Sequence, residues 1–114
     1  MLLNYQQMGQ GSDVVLIHGL FGSLENLNVI AKALAENYRV TNIDLRNHGK
    51  SFHSDTMNYH AMAKDVSELL EHLNISKAHI IGHSMGGKVA MQLALNHPEL
   101  IDKLVLLDIS PEIG

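Results

Sequence analysis

Hydrophobic residues along this chain fall into short β-branched runs that alternate with longer segments at helical spacing. The short runs predict four strands, with a weaker candidate for an edge strand before them; in chain order these are Leu2–Gln6 (the weaker one), Val14–Ile17, Val40–Ile43, Ala78–Ile81 and Leu104–Leu107. Unbroken apolar runs are typical of strands that are covered on both faces. The alternation therefore predicts an α/β protein, with a mostly parallel sheet and helices on both faces of that sheet.

The segments between these strands predict three helices. The first covers about Leu24–Asn37 with Ser23 as its N-cap, and the third covers about Ser84–Asn96, where Pro98 stops it. The second has an apolar stripe and a polar side that we expect largely in solvent; the stripe is Met62, Val66, Leu69, Leu70 and Leu73, and the polar side is Lys64, Asp65, Glu68 and Glu71. Such stripes indicate core packing rather than a ligand site.

The composition is that of one modest domain, with 114 residues, 46% of them hydrophobic, and no cysteine. The lack of cysteine excludes disulfides and thiolate metal sites. A net charge of −4 without a basic run gives no electrostatic footprint for nucleic acid. The N-terminus carries no basic residue, and no apolar run approaches the roughly 20 residues that span a bilayer. We therefore expect neither a secretory signal nor a membrane span, and a cytoplasmic location.

Cofactor and metal motifs are not found in the sequence. No H-E-x-x-H is present, and His79 and His83 straddle a strand-to-turn junction instead of sharing a helical face. No G-x-G-x-x-G follows a strand, so a dinucleotide site is not predicted. The segment Gly82–Lys88 fits the phosphate-loop pattern G-x-x-x-x-G-K, but the next residue is Val89, which lacks the hydroxyl that such a loop supplies to Mg²⁺. We expect no cofactor and no metal.

The segment around Ser84 carries the most informative chemistry. Gly82-His83-Ser84-Met85-Gly86 matches G-x-S-x-G where a predicted strand runs into a predicted helix. This motif forms a sharp, strained turn that projects the serine hydroxyl above the sheet. Side chains two residues either side of the serine would collide in that turn, so glycine is required at both positions.

The loop His18–Gly22 is a second candidate element, because it follows the predicted strand Val14–Ile17. An enzyme built on a nucleophile elbow needs a loop there that offers backbone N–H groups. Two such donors form an oxyanion hole, and we assign them to the N–H of Met85 and the N–H of Leu20, with Phe21 as the fallback. We expect His18 to shape the turn rather than to transfer protons.

Two further motifs, Asp44–Ser51 and Leu107–Pro111, follow the second central strand and the last strand. With these motifs in this order, the chain resembles the N-terminal half of an α/β-hydrolase, and it is especially similar to the YbfF-type bacterial esterases. The resemblance implies that Ser84 is the nucleophile and that the substrate is a small ester or thioester. For Arg46 we expect a role in bracing the elbow, through hydrogen bonds from its side chain to backbone carbonyls.

A Ser-His-Asp triad also needs an acid and a histidine. Asp108 ends a predicted strand where ligands of open α/β sheets collect, and it is either the triad acid or a cap of the next turn. None of the eight histidines is placed to act as the base. Six lie upstream of the elbow, His97 is roughly 20 Å away along a helix, and His83 should point away from the Ser84 hydroxyl.

We therefore expect residues 1–114 to be the N-terminal portion of a single α/β-hydrolase domain whose catalytic histidine lies beyond Gly114. Such a piece should have little esterase activity by itself. The open edge at Leu104–Asp108 invites pairing with another chain, so self-association is a further expectation. The alternatives are a non-catalytic binding module, which keeps the fold and the elbow without the chemistry, and a P-loop nucleotide hydrolase, which Val89 disfavours.

Overall fold

A five-stranded sheet forms the centre of the computed structural model, which describes residues 1–108. Its strands, in chain order, are β1 (Tyr5–Met8), β2 (Asp13–Ile17), β3 (Arg39–Ile43), β4 (Ala78–His83) and β5 (Ile101–Leu107). They lie in the order β1-β3-β2-β4-β5, with β1 antiparallel to β3 and each of the other neighbouring pairs parallel. This confirms the predicted fold class. The end of the predicted Leu107–Pro111 motif lies outside the described residues.

The edge strand β1 begins later than the pattern predicts, at Tyr5 instead of Leu2. The preceding residues are used elsewhere: Leu3 is buried in the core, and Asn4 bonds the loop that follows β3. The Asn4 N–H donates to Ser51 Oγ at 2.8 Å, and its side-chain amide donates to Asp44 Oδ2 at 2.9 Å. These contacts hold the first residues against that loop rather than in the sheet.

Three α-helices connect the strands: α1 (Asn28–Leu34), α2 (Tyr59–His72) and α3 (Met85–Asn96). The first is shorter than predicted. Its opening turn, Leu24–Leu27, is a 3₁₀ helix that Ser23 caps, with the serine hydroxyl accepting a backbone N–H at 3.3 Å. Beyond Leu34 the chain continues as turns, in which the carbonyl of Leu34 accepts the N–H groups of both Asn37 and Tyr38, at 3.0 and 2.9 Å.

The helix α2 packs its predicted apolar stripe into the core. Its buried members are Met62, Val66, Leu69 and Leu70, and Leu73 packs against the same cluster from just beyond the helix. The prediction for the polar side is wrong at Asp65, which is only 5% exposed. Arg46 reaches this carboxylate from the loop after β3, and a buried carboxylate needs such a partner.

The sheet carries an apolar layer on each face. The helices α2 and α3 cover one layer, and α1 covers a smaller one made of Val14, Leu16, Leu27, Ala31 and Val40. The strand β2 contributes alternate residues to both layers, as its unbroken apolar run predicts. Because β2 lies between β3 and β4, the loops that follow these three strands meet near the middle of the sheet, at the carboxyl ends of the strands.

The strand β5 lies at the edge opposite β1 and is much more exposed than the central strands. Leu104, Val105 and Leu106 are 36%, 40% and 37% exposed. Within residues 1–108, β5 pairs with β4 on one side and with no strand on the other. In the same part of the chain, no helix combines the length and the apolar character needed to cross a membrane.

Candidate active site

Ser84 lies at the junction of β4 and α3 in a strained backbone conformation. Its φ is 54° and its ψ is −118°, in a region that residues other than glycine rarely adopt. Strain of this kind costs on the order of 1–3 kcal/mol and persists only where the surrounding structure fixes it. Here the Ser84 N–H donates to the carbonyl of Leu107 at 2.9 Å, and the Ser84 carbonyl accepts the N–H of Gly87 at 2.9 Å.

The glycines of the elbow are required by contacts between backbone segments. A Cβ atom on Gly82 would lie 2.6 Å from the Cα of Gly87, and one on Gly86 would overlap the carbonyl oxygens of Ile17 and His18. The predicted need for glycine at both positions is therefore confirmed, although at Gly86 the clash is with the end of β2, against which helix α3 begins. The nucleophile elbow is thus present in geometry as well as in sequence.

The loop His18–Gly22 lies directly beside the elbow. A Cβ atom on Gly19 would lie 3.2 Å from the Cβ of Ser84. Within residues 1–108, no acceptor takes the N–H of Leu20 or the N–H of Met85, the two predicted oxyanion donors. The two groups are therefore available to a developing oxyanion near Ser84, which is the chemistry expected of this arrangement.

The N–H of Phe21, the fallback donor, already has an acceptor. Its N–H donates to Nε2 of His48 at 3.1 Å. Its φ of 61° places this residue too in the left-handed region. The hydrogen bond therefore favours Leu20 over Phe21 as the donor from this loop.

His18 is fully buried, and both of its ring nitrogens bond the backbone. Nε2 accepts the N–H of Leu45 at 3.0 Å, so the ring proton is on Nδ1, which donates to the carbonyl of Gly19 at 2.7 Å. Burial is the largest influence on the pKa of His18 and lowers it from 6.5, although the bond to Gly19 acts in the opposite direction. This geometry agrees with a role in shaping the turn and offers no ring nitrogen for proton transfer.

Asp44 holds together several segments near the carboxyl ends of the strands. The sequence motif did not suggest this role. Its carboxylate accepts the N–H of Leu24 at 2.8 Å, the N–H of Lys50 at 2.9 Å and the amide of Asn4. Burial alone would raise the pKa of Asp44, but these hydrogen bonds outweigh it and lower the pKa. Gly49 has a φ of 51°, and a Cβ atom there would overlap the carboxylate.

Arg46 braces a loop, but not the elbow. Its guanidinium forms a two-bond ion pair with Asp65 on α2, at 2.6 and 2.9 Å, and also donates to the carbonyl of Thr56 at 2.6 Å. The predicted bond to a backbone carbonyl is therefore present, at Thr56, but the predicted bracing of the elbow is wrong. Arg46 instead ties the loop after β3 to α2 through its ion pair with the buried Asp65.

Asp108 and His83 lie near each other beside the elbow. The carboxylate of Asp108 is 84% exposed, and one of its oxygens is 3.6 Å from Nε2 of His83. His83 forms no hydrogen bond with Ser84 Oγ, in agreement with its expected orientation. Within residues 1–108, no histidine nitrogen forms a hydrogen bond with that hydroxyl.

An open cleft borders the loop His18–Gly22. It has a volume of about 400 Å³, and its walls include Leu20, Phe21, His48 and Met57. In the described part of the chain, no group of three or more histidine and acidic side chains could hold a metal ion. Val89, where a phosphate loop needs a hydroxyl, is fully buried in the core.

Comparisons with known proteins agree with this geometry. Residues 14–113 match the family described as alpha/beta hydrolase fold. The chain is 48% identical to Esterase YbfF of Escherichia coli (strain K12), over 93% of this chain and 42% of the relative. It is 50% identical to the sn-1-specific diacylglycerol lipase ABHD11 of Danio rerio, over 92% of this chain and 34% of the relative.

A solved marine microorganism esterase superposes with a TM-score of 0.93 and 41% identity, over 96% of this chain and 42% of that protein. The chain thus spans about two fifths, or less, of the relatives it matches. The match to the family covers most of the sequence, and the likeness in structure extends over nearly all of it. The chain therefore belongs to the α/β hydrolase fold family.

Proposed function

We propose that the protein carrying this chain is a serine carboxylic ester hydrolase that forms an acyl-enzyme on Ser84. The observation that carries the proposal is the strained backbone of Ser84, beside two backbone N–H groups, at Leu20 and Met85, that no acceptor within residues 1–108 takes. The names of the relatives, an esterase and a diacylglycerol lipase, support ester chemistry. The proposed substrate is a small ester or thioester.

In the proposed reaction, Ser84 Oγ attacks the carbonyl carbon of the ester while a histidine takes the hydroxyl proton. The N–H groups of Leu20 and Met85 stabilise the negative charge that develops on the carbonyl oxygen. The alcohol or thiol leaves with the proton, and an acyl-enzyme remains. Water, activated by the same histidine, then releases the acid and restores the serine.

We assign the histidine to sequence outside residues 1–114. Within residues 1–108 no ring nitrogen reaches the Ser84 hydroxyl, and the relatives are more than twice as long as the region they share with this chain. We assign Asp108 to orient that histidine. It follows β5 next to the elbow, and its exposed carboxylate is accessible to an imidazole from another part of the protein.

The test uses protein expressed from the complete reading frame, with hydrolysis of a p-nitrophenyl ester and labelling by a fluorophosphonate as readouts. Ser84→Ala should abolish labelling and lower kcat at least about 10³-fold, because it removes the nucleophile. Ser76→Ala, at an exposed serine remote from the elbow, is the matched control and should change neither. A Ser84→Ala variant that keeps wild-type hydrolysis would contradict the proposal.

The same assays distinguish the two roles of Asp108 and the two classes of protein. Asn caps turns as well as Asp does but cannot stabilise an imidazolium, so Asp108→Asn should lower kcat strongly if Asp108 is the triad acid. Unchanged kcat would leave Asp108 as a cap. A folded protein that shows neither turnover nor labelling would instead be the non-catalytic binding module.

A further inference from the structure

The tip of the loop His18–Gly22 is held by a side chain from a different loop. Phe21 has a left-handed backbone, and this residue is 92% exposed, so packing of its ring does not fix the loop. The Gly22 N–H closes the turn by donating to the Gly19 carbonyl at 3.1 Å, and the N–H of Phe21 itself donates to Nε2 of His48, also at 3.1 Å. A strained peptide at an exposed tip persists only where such contacts determine it.

His48 is itself rigidly placed. It is only 7% exposed, and its ring centroid lies 5.0 Å from that of the buried His18. Because Nε2 accepts an N–H, the ring proton is on Nδ1, where it donates to the carbonyl of Arg46 at 2.8 Å. Arg46 in turn is anchored to α2 through Asp65. The His48 ring, which accepts the Phe21 N–H, is thus connected to the packed core of the molecule.

We propose that His48 is a positioning residue for the oxyanion hole. By accepting the N–H of Phe21, it fixes the peptides of the loop and leaves the N–H of Leu20 as the donor from this loop. The proposal rests on the proposed function, because it assigns a role within that same site. It adds a residue outside both the elbow and the oxyanion loop to the machinery that prepares the site.

The physical reason is preorganisation. Oxyanion donors accelerate a reaction because they are already placed when charge develops, and loss of one such donor lowers kcat by about 10²–10³-fold. A donor that is only loosened should lower kcat less than a donor that is removed. We therefore expect loss of the Phe21 hydrogen bond to lower kcat by roughly tenfold, and to leave KM nearly unchanged because ground-state binding does not use the oxyanion donors.

The experiment compares two variants in protein from the complete reading frame. His48→Phe keeps a ring in contact with His18 but removes both nitrogens, whereas His48→Gln retains an acceptor near the position of Nε2. We expect kcat to fall in His48→Phe and to recover in His48→Gln. His72→Phe, at an exposed histidine at the end of α2, is the matched control and should behave as wild type.

Amide exchange at Phe21 gives a readout that does not depend on activity. The amide should be protected in wild type and in His48→Gln, and should exchange at least about tenfold faster in His48→Phe. Fast exchange of this amide in wild type would overturn the proposal even if no variant folds. A hydrolase that depends on Ser84 but keeps wild-type kcat in His48→Phe would overturn it as well. Hydrolysis that survives Ser84→Ala would instead defeat the proposed function itself.

Discussion

His18 is held in its neutral form by its hydrogen bonds and by burial. A second ring proton would be on Nε2, directly against the N–H of Leu45 that this nitrogen now accepts. The pKa of His18 is accordingly lowered from 6.5, with burial as the largest cause. The native protein therefore binds a proton at this position only at lower pH than the unfolded chain does.

This difference predicts how stability depends on pH. The contribution of neutral His18 is fully present above about pH 6.5, and is lost as the pH falls, because the unfolded chain then takes up a proton that the native state does not. The free energy of unfolding should fall by up to about 1.4 kcal/mol per pH unit from this residue. Urea unfolding at about pH 8 and about pH 5 measures the slope.

His18→Gln should flatten that slope, since glutamine accepts the Leu45 N–H without titrating. His72→Gln, an exposed histidine, serves as the control and should leave the slope unchanged. An identical slope in wild type and His18→Gln would show that His18 does not contribute to the loss of stability in acid.

At the scale of single residues, the sequence identifies the site residues that lie close together along the chain. Gly82, Ser84 and Gly86 are recognisable because they fall within five consecutive positions, although the contact that requires glycine at position 86 comes from the distant Ile17 and His18. The hydrogen bond of His48 could not be predicted, because its partner Phe21 is 27 positions away, and the distance between the two loops is set by the sheet. The D-L-R-N-H-G-K-S motif is the signal that pointed to this loop, without assigning the ring a partner.

At the scale of elements, the loop after β3 is joined to α2 by the pair of Arg46 and Asp65. Their side chains are only 12% and 6% exposed, and the two hydrogen bonds between them satisfy much of the buried charge. Hydrogen bonding to Asp65 also raises the pKa of Arg46. Replacing only one member of such a pair strongly lowers the free energy of unfolding, because the remaining charge stays buried without a partner.

Arg46→Met should therefore destabilise the protein by about 3–5 kcal/mol in urea unfolding. The control is Arg39→Met, which breaks the pair with Asp13, where the arginine side chain is 41% exposed. Exposed pairs contribute only about 0–1 kcal/mol, so this loss should be small. If the two variants lost the same free energy of unfolding, burial of the Arg46 pair would not be the cause of its larger contribution.

Periodicity located most of the elements but not the partner of Asp65. The four parallel strands and α2 follow from apolar patterns alone, because their burial is repeated along each element. The polar side of a helix carries no such information. Asp65 is buried by a residue that arrives from a loop 19 positions earlier, so its burial depends on tertiary structure.

At the scale of the whole molecule, the two edges of the sheet differ. The edge strand β1 is short and polar, with the sequence Tyr-Gln-Gln-Met, whereas β5 is seven residues long and carries Leu104, Val105 and Leu106 at 36–40% exposure. Val105 also lines a shallow apolar groove with Leu34 and other residues on the α1 face. A long apolar edge strand offers unpaired backbone to a strand of another chain.

Residues 1–114 expressed alone should therefore associate as concentration rises, and should show little ester hydrolysis because no histidine in the described part reaches Ser84. Val105→Lys should reduce the association, since a charged side chain on an edge strand opposes pairing with a second strand. Val29→Lys introduces the same charge on α1, at a residue that is already 83% exposed, and should leave association unchanged. Sedimentation velocity across a concentration series measures both effects. A wild-type chain that stays monomeric throughout, or one whose association responds equally to the two lysines, would show that the β5 edge is not the contact surface.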